Sequence, residues 1–163
     1  MDDPSDPATK PRATGASSRA RYEDDLYSWA IEQAALLRAG RVTEADASNI
    51  AQELDDVGNE QYDRLESALR IILLHLLKWD HRPLQRSRSW HLSVRIQRKH
   101  VLKVLRKNPG LEPLVAEAID EAYEVARIEA DLDEDALPPA CPYTYDEITK
   151  RPVAWPQTEQ SAR

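Results

Sequence analysis

The chain of 163 residues contains no phenylalanine, four glycines and a single cysteine, and these scarcities exclude several classes of protein. Cys141 stands alone, so it cannot form an internal disulfide, and no CxxC pattern predicts a zinc site. The longest apolar run, residues 71–77, is interrupted by His75 and is far shorter than the ~20 residues that a membrane-spanning helix needs. Residues 1–21 lack the apolar stretch of a secretory signal. We therefore expect a cytoplasmic protein without a membrane partner.

The composition favours helix over sheet. Ala, Leu, Glu and Arg are plentiful, and apolar side chains recur at alternating three- and four-residue spacing in four segments. We expect an all-α fold, an up-down antiparallel helical bundle of about four helices joined by short connections. The spacing allows a bend in the second helix at Gly58. It predicts a fourth helix that begins with Asn108 as cap and Pro109 in the first turn and extends to about Leu132. Three prolines then predict an extended, proline-rich C-terminal tail: Pro138, Pro139 and Pro142. Within it, Thr144 and Glu147 have the spacing of a capping box on one short turn of helix.

The same pattern gives expected boundaries. Residues 1–21 hold almost no large apolar side chain, so they cannot offset the entropy of ordering and are expected to be a disordered tail. A single helical-bundle domain is expected over residues 22–156, followed by a disordered end at residues 157–163. Either Ser87 or Ser89 is expected to cap the third helix.

Charge is sorted into blocks along the chain. Residues 69–108 carry eleven Lys and Arg against one acid, a net of +10, whereas the whole chain has a net charge of -7. Residues 22–68 and residues 109–163 each have a net charge of -9. The basic block therefore either faces an anionic partner or is neutralised by acidic neighbours inside the fold.

Helical geometry gathers part of this block onto one face. At 100° per residue, four cations share a narrow arc of the third helix: Arg88, Arg95, Lys99 and Arg106. This set, called the basic stripe below, could follow a phosphate backbone. We expect instead that acids on the second and fourth helices pair with it, because the sequence pI of about 5.1 argues against nucleic acid.

Three further side chains are candidates for function. Trp79 and Trp90 flank an arginine-rich proline turn, where Trp and Arg could bind a partner or stack on a base. Both also follow the apolar stripe, so we expect them to pack in the core. His75 is a metal or acid-base candidate inside an apolar stretch, but no HxxxH or Glu-x-x-His spacing accompanies it. We expect a neutral, hydrogen-bonded structural histidine, and no cofactor.

Several short motifs together resemble a bacterial family of uncharacterised helical proteins, the domain of unknown function 29. They are Tyr22 to Trp29 (YEDDLYSW), His75 to Trp79 (HLLKW), Ser87 to Trp90 (SRSW), Asn108-Pro109 and Cys141-Pro142-Tyr143. The resemblance implies an all-helical fold but no established activity, so it assigns no catalytic residue. Where the family tends to have a Gln-Tyr-like pair after HLLKW, this chain has Asp80-His81.

The sequence thus favours a non-enzymatic protein that acts through protein contacts, either with an acidic protein partner or as a homo-oligomer. Two alternatives stay open. One is a nucleic-acid-binding module that uses the basic stripe, and the other is a metal-dependent hydrolase centred on His75, for which the sequence gives the least support.

Overall fold

The computed structural model describes residues 21–132 and 137–155. In these residues the chain forms helices and no strand: α1 (Leu26–Arg38), α2 (Ala47–His81), α3 (Arg88–Lys107), α4 (Val115–Glu129) and α5 (Tyr145–Lys150). The predicted all-α bundle, with about four sizeable helices and an extended C-terminal segment, is confirmed. The expected disordered ends, residues 1–21 and 157–163, lie outside the described residues except for Arg21.

The described chain divides into two compact units, residues 21–54 and residues 55–155, and α2 crosses the division. In the first unit, the Asp25 carboxylate caps α1 by accepting a hydrogen bond from the Ser28 N–H at 2.9 Å. The buried Gln33 side chain accepts a hydrogen bond from the Asp46 N–H, also at 2.9 Å. These bonds satisfy polar groups that would otherwise be unpaired around α1.

In the second unit, contacts along the helices give their relative directions. His75 near the end of α2 stacks on Trp90 near the start of α3, and the earlier residues 61–71 of α2 line one groove with the later residues 97–108 of α3. These two helices therefore run antiparallel. Tyr62 and then Arg70 of α2 bond to Glu121 and then Glu129 of α4, so α4 runs in the same direction as α2. Successive helices of this unit therefore run up, down and up, as the short connections predict.

The core of the second unit lies between these helices. α2 contributes the fully buried Leu65, Leu69, Ile72 and Leu76, and α3 contributes Val94 and Val101. α4 and its C-cap residue Ala130 present alanines at four-residue spacing, all at 0 % exposure, which lets the backbone approach its neighbours closely: Ala118, Ala122, Ala126 and Ala130. Truncating one of the buried leucines to alanine would cost about 2 to 5 kcal/mol.

Three details differ from the sequence-based expectations. α2 is one helix of 35 residues that continues through Gly58, because a lone glycine costs only about 1 kcal/mol in a helix and removes no hydrogen bond. α4 begins only at Val115, since Pro113 lies in a preceding 3₁₀ segment, Pro109–Leu114, and has no N–H to donate. It ends at Glu129, shortly before Asp131 takes a left-handed φ of 51°.

Helix α2 is long, yet among the described residues no helix is apolar enough over a sufficient length to cross a bilayer.

Candidate interaction site on the third helix

Helix α3 is held in place by its cap and its apolar side. The Ser87 hydroxyl accepts a hydrogen bond from the Trp90 N–H at 3.3 Å, which settles the N-cap in favour of Ser87. Val94, Val101 and Leu105 are buried and define the side of α3 that faces the core. Every other face of the helix is fixed relative to this one by the rotation of 100° per residue.

A second face of α3 holds the backbone of the C-terminal segment. The Arg98 guanidinium donates to the carbonyl oxygens of Ile148 and Arg151, at 2.7 Å each, and to that of Glu147 at 3.2 Å. Two turns earlier on the same face, the His91 Nδ1 lies 2.5 Å from the Val153 carbonyl oxygen. Because α5 ends at Lys150 and Pro152 has no N–H, Arg98 supplies the donor that the Ile148 carbonyl at the helix end would otherwise lack. The Glu147 carbonyl, by contrast, also accepts the Arg151 N–H.

The basic stripe occupies a third face, and all four of its side chains are exposed. Its members fall within an arc of about 40° on the helix, Arg88, Arg95, Lys99 and Arg106. Between residues 21 and 132 and between 137 and 155, no carboxylate forms an ion pair with any of them. The expected pairing of this stripe with acids of the second and fourth helices therefore does not occur among the described residues.

Acids of the flanking blocks pair with other arginines instead. Glu129 at the end of α4 contacts Arg70 of α2, and Asp131 lies 3.5 Å from Arg82 just beyond α2. The two α4-side acids therefore meet arginines of α2 and of the turn after it, whereas the stripe on α3 stays exposed. The number of charges in each block of the sequence does not tell which helix faces which, so it does not predict these pairs.

A groove adjoins the stripe on the next face of α3. Its volume is about 420 Å³, and it lies between the 61–71 part of α2 and the 97–108 part of α3. Ala68, Ile71 and Val104 supply apolar wall. The remaining lining is basic or polar and includes no acid: Gln61, Arg64, Ser67, Gln97, His100, Lys103, Lys107 and Asn108.

The two candidate tryptophans belong to the core rather than to the open face. Trp79 is 7 % exposed, with the Arg86 guanidinium 5.0 Å from its ring centre. Trp90 is partly buried and packs against the core cluster, its ring stacked on His75 with 6.3 Å between centroids. The expectation that both pack in the core is met. Neither tryptophan lies on the basic stripe.

His75 is a partly buried imidazole, and the described residues around it form no metal site. Burial, assisted by the nearby Lys78 charge, lowers the pKa of His75, which favours the neutral ring. Its Nδ1 has no hydrogen-bond partner among the described residues, so the expected hydrogen bond at that atom is absent there. In the same part of the chain, no three His, Cys, Asp or Glu side chains cluster as metal ligands would. The geometry gives the hydrolase hypothesis no support.

Cys141 is likewise placed for packing. Burial raises the pKa of its thiol, which keeps the sulfur protonated and a poor nucleophile. The thiol donates to the Tyr143 carbonyl oxygen at 3.6 Å, so it serves the local turn.

Comparison with known families fits the fold. A family model described as "Domain of unknown function DUF29" matches residues 21–152. The chain belongs to the DUF29 family. No curated protein and no solved structure matches it. The DUF29 match covers the basic stripe, the groove and the C-terminal segment held by Arg98, but it brings no assigned activity to any of them.

Two features of this DUF29 protein escape sequence reasoning. The contacts of Arg98 join residues about 50 positions apart, and nothing local in the sequence marks them. The groove needs α2 and α3 to be placed side by side before its walls can be identified. A sequence signal for the groove does exist, since Lys103 and Lys107 recur at four-residue spacing beside the stripe, but that spacing alone does not predict a concave surface.

Proposed function

We propose that this DUF29 protein is a non-enzymatic protein-contact module that self-associates through α3. The observation that carries the proposal is the open basic stripe, four exposed cations without an acidic partner among the described residues. Surface cations that serve the fold are usually accompanied by acids, as Arg70 and Arg82 are here. An aligned and unaccompanied row is typical of a surface that meets an anionic partner.

Apolar side chains beside the stripe favour a protein as that partner. Leu92, Ile96 and Leu102 are 37, 51 and 56 % exposed. By helix rotation they lie within about 80° of the centre of the stripe, so cations and apolar groups share one face. A protein surface can bury such side chains between its own, whereas a phosphate backbone offers them no apolar surface.

The complementary surface is present in the chain itself. Asp55, Asp56 and Asp63 of α2 are exposed and form no ion pair with a described residue, and Val57 beside them is 57 % exposed. Asp56 and Asp63 are seven residues apart, about 10 Å along the helix, which is the separation of Arg88 from Arg95. In a two-fold dimer, the acidic surface of each copy would meet the basic stripe of the other, giving two equivalent contacts.

Sedimentation equilibrium of charge-reversed variants tests this proposal. We expect the wild-type protein to associate at low salt and to dissociate as salt screens the charges. R95E/K99E and D56K/D63K should each be monomeric, because each then sets like charges against each other. An equimolar mixture should associate, because one contact pairs the two reversed surfaces, the other pairs two wild-type surfaces, and both are attractive. The control R38E reverses an exposed cation of α1, outside α3, and should behave as wild type.

Two outcomes would contradict self-association: a wild-type protein that stays monomeric at low salt, or a mixture that stays monomeric. The nucleic-acid alternative keeps one specific observation in its favour, which is the regular row of free guanidinium and ammonium groups. Fluorescence anisotropy with a labelled 20-nucleotide RNA would detect it. If the wild-type protein binds this RNA in a salt-sensitive way and R95E/K99E does not, nucleic-acid binding would replace self-association as the proposed function.

A further inference from the structure

The groove between α2 and α3 has the character of a small-molecule site. Its volume of about 420 Å³ lies within the 300 to 1,000 Å³ that is usual for ligand pockets. It combines an apolar wall with convergent polar groups, which is the arrangement that binds one compact ligand in one orientation. The basic stripe, by comparison, lies on the convex surface of a helix and encloses nothing.

The charges of the groove favour a negatively charged ligand. Lys103 and Lys107 are one helical turn apart on its rim and form no ion pair with any residue in the described ranges. Arg64, on the opposite wall, contacts Glu60, so part of its charge is already used. With no acid among the lining residues, the rim attracts an anion, and neighbouring ammonium groups suit a dianion such as a phosphate.

The polar groups beyond the rim can recognise more than charge. The Gln97 Oε1 lies 3.2 Å from the His100 Nδ1. Because an amide oxygen only accepts, the His100 Nδ1 donates in this pair, and this leaves the Gln97 amide N–H groups and the His100 Nε2 for other partners. The apolar side chains of Ala68, Ile71 and Val104 can contact the part of a ligand that has low polarity.

We propose that this groove binds a small organic phosphate whose body is planar or apolar, with the phosphate held by Lys103 and Lys107 and the body against the apolar wall. The site is separate from the self-association proposed above, because its two lysines do not belong to the basic stripe.

Isothermal titration of the full-length protein with AMP, phenyl phosphate and inorganic phosphate tests the proposal at physiological salt. We expect saturable binding of AMP at one site per chain, at least tenfold tighter than that of inorganic phosphate. AMP, unlike inorganic phosphate, has an organic part that can contact the apolar side chains of the groove. K103A/K107A should weaken AMP binding about tenfold or more, because it removes the charge-assisted contacts.

The control R95A/K99A removes the same charge from the neighbouring stripe. Titrated at a salt and concentration where wild type and variant are both monomeric, it should leave AMP binding within about twofold of wild type. Both variants change only exposed side chains, so both are expected to fold. Three results would each overturn the proposal: no saturable binding of AMP or phenyl phosphate up to about 10 mM, equal affinity for inorganic phosphate and AMP, or equal losses in K103A/K107A and R95A/K99A. The last two would show that charge alone attracts the anion.

Discussion

Replacing Arg98 by methionine should destabilise the protein more than any other single change on the surface of α3. Arg98 donates three hydrogen bonds to backbone carbonyls of the C-terminal segment, two at 2.7 Å and one at 3.2 Å. A hydrogen bond from a charged donor contributes about 1.5 to 3 kcal/mol. Burial lowers the pKa of Arg98, which shows that desolvation offsets part of this gain. We therefore expect a net loss of about 2 to 4 kcal/mol for R98M.

The assay is urea unfolding at neutral pH, with R95M as the matched control. Arg95 lies on the same helix, is exposed and forms no ion pair with a described residue, so R95M should change the free energy of unfolding by less than about 0.5 kcal/mol. In hydrogen exchange, R98M should also speed the amides of residues 145–153, whose Ile148 and Val153 are buried in the core. If R98M is as stable as R95M, the assigned role of Arg98 in holding this segment is wrong.

Three further changes test individual contacts by thermal or urea unfolding. D80A should cost about 1 to 3 kcal/mol, because the Asp80 carboxylate accepts from both Nη groups of Arg151, at 2.8 and 3.0 Å, and D80N should recover part of that. Y123F should cost about 1 kcal/mol, since the buried Tyr123 hydroxyl donates to the Pro138 carbonyl oxygen at 2.7 Å; an unchanged melting temperature would show that water replaces this bond. Burial raises the pKa of Glu66 above its ordinary 4.5, so the stability that its protonated form contributes is lost as pH rises through the folded pKa. E66Q should therefore be slightly more stable than wild type at pH 7 but not at pH 4, and a gain that is the same at both pH values would contradict this.

The helices were predictable because their signals are local. Apolar spacing identifies the buried face of α2, Ser87 caps α3, and Thr144 with Glu147 forms the expected capping box on α5. Each of these depends on residues within one or two turns of each other. The fourth helix was expected to start too early for the same reason. Apolar spacing alone does not show that Pro113, which has no N–H, interrupts the α-helical hydrogen-bond pattern.

The candidate site was only partly predictable. Helix rotation alone places the basic stripe on one face, and the structure shows that face exposed. Whether acids cover it depends on which helix faces which, and the acids beyond α4 meet Arg70 and Arg82 rather than α3. The groove and the contacts of Arg98 join segments that are far apart in the sequence, so they become visible only once the helices are packed.

The central claim is that the basic stripe is not used within the fold and is free to bind. The free energy of unfolding of R95E/K99E, measured by urea denaturation at a concentration and salt where the protein is monomeric, tests this most directly. We predict a value within about 0.5 kcal/mol of wild type, because neither side chain loses a partner. A loss of more than about 1 kcal/mol would contradict the account, since it would mean that acids within the same chain neutralise the stripe.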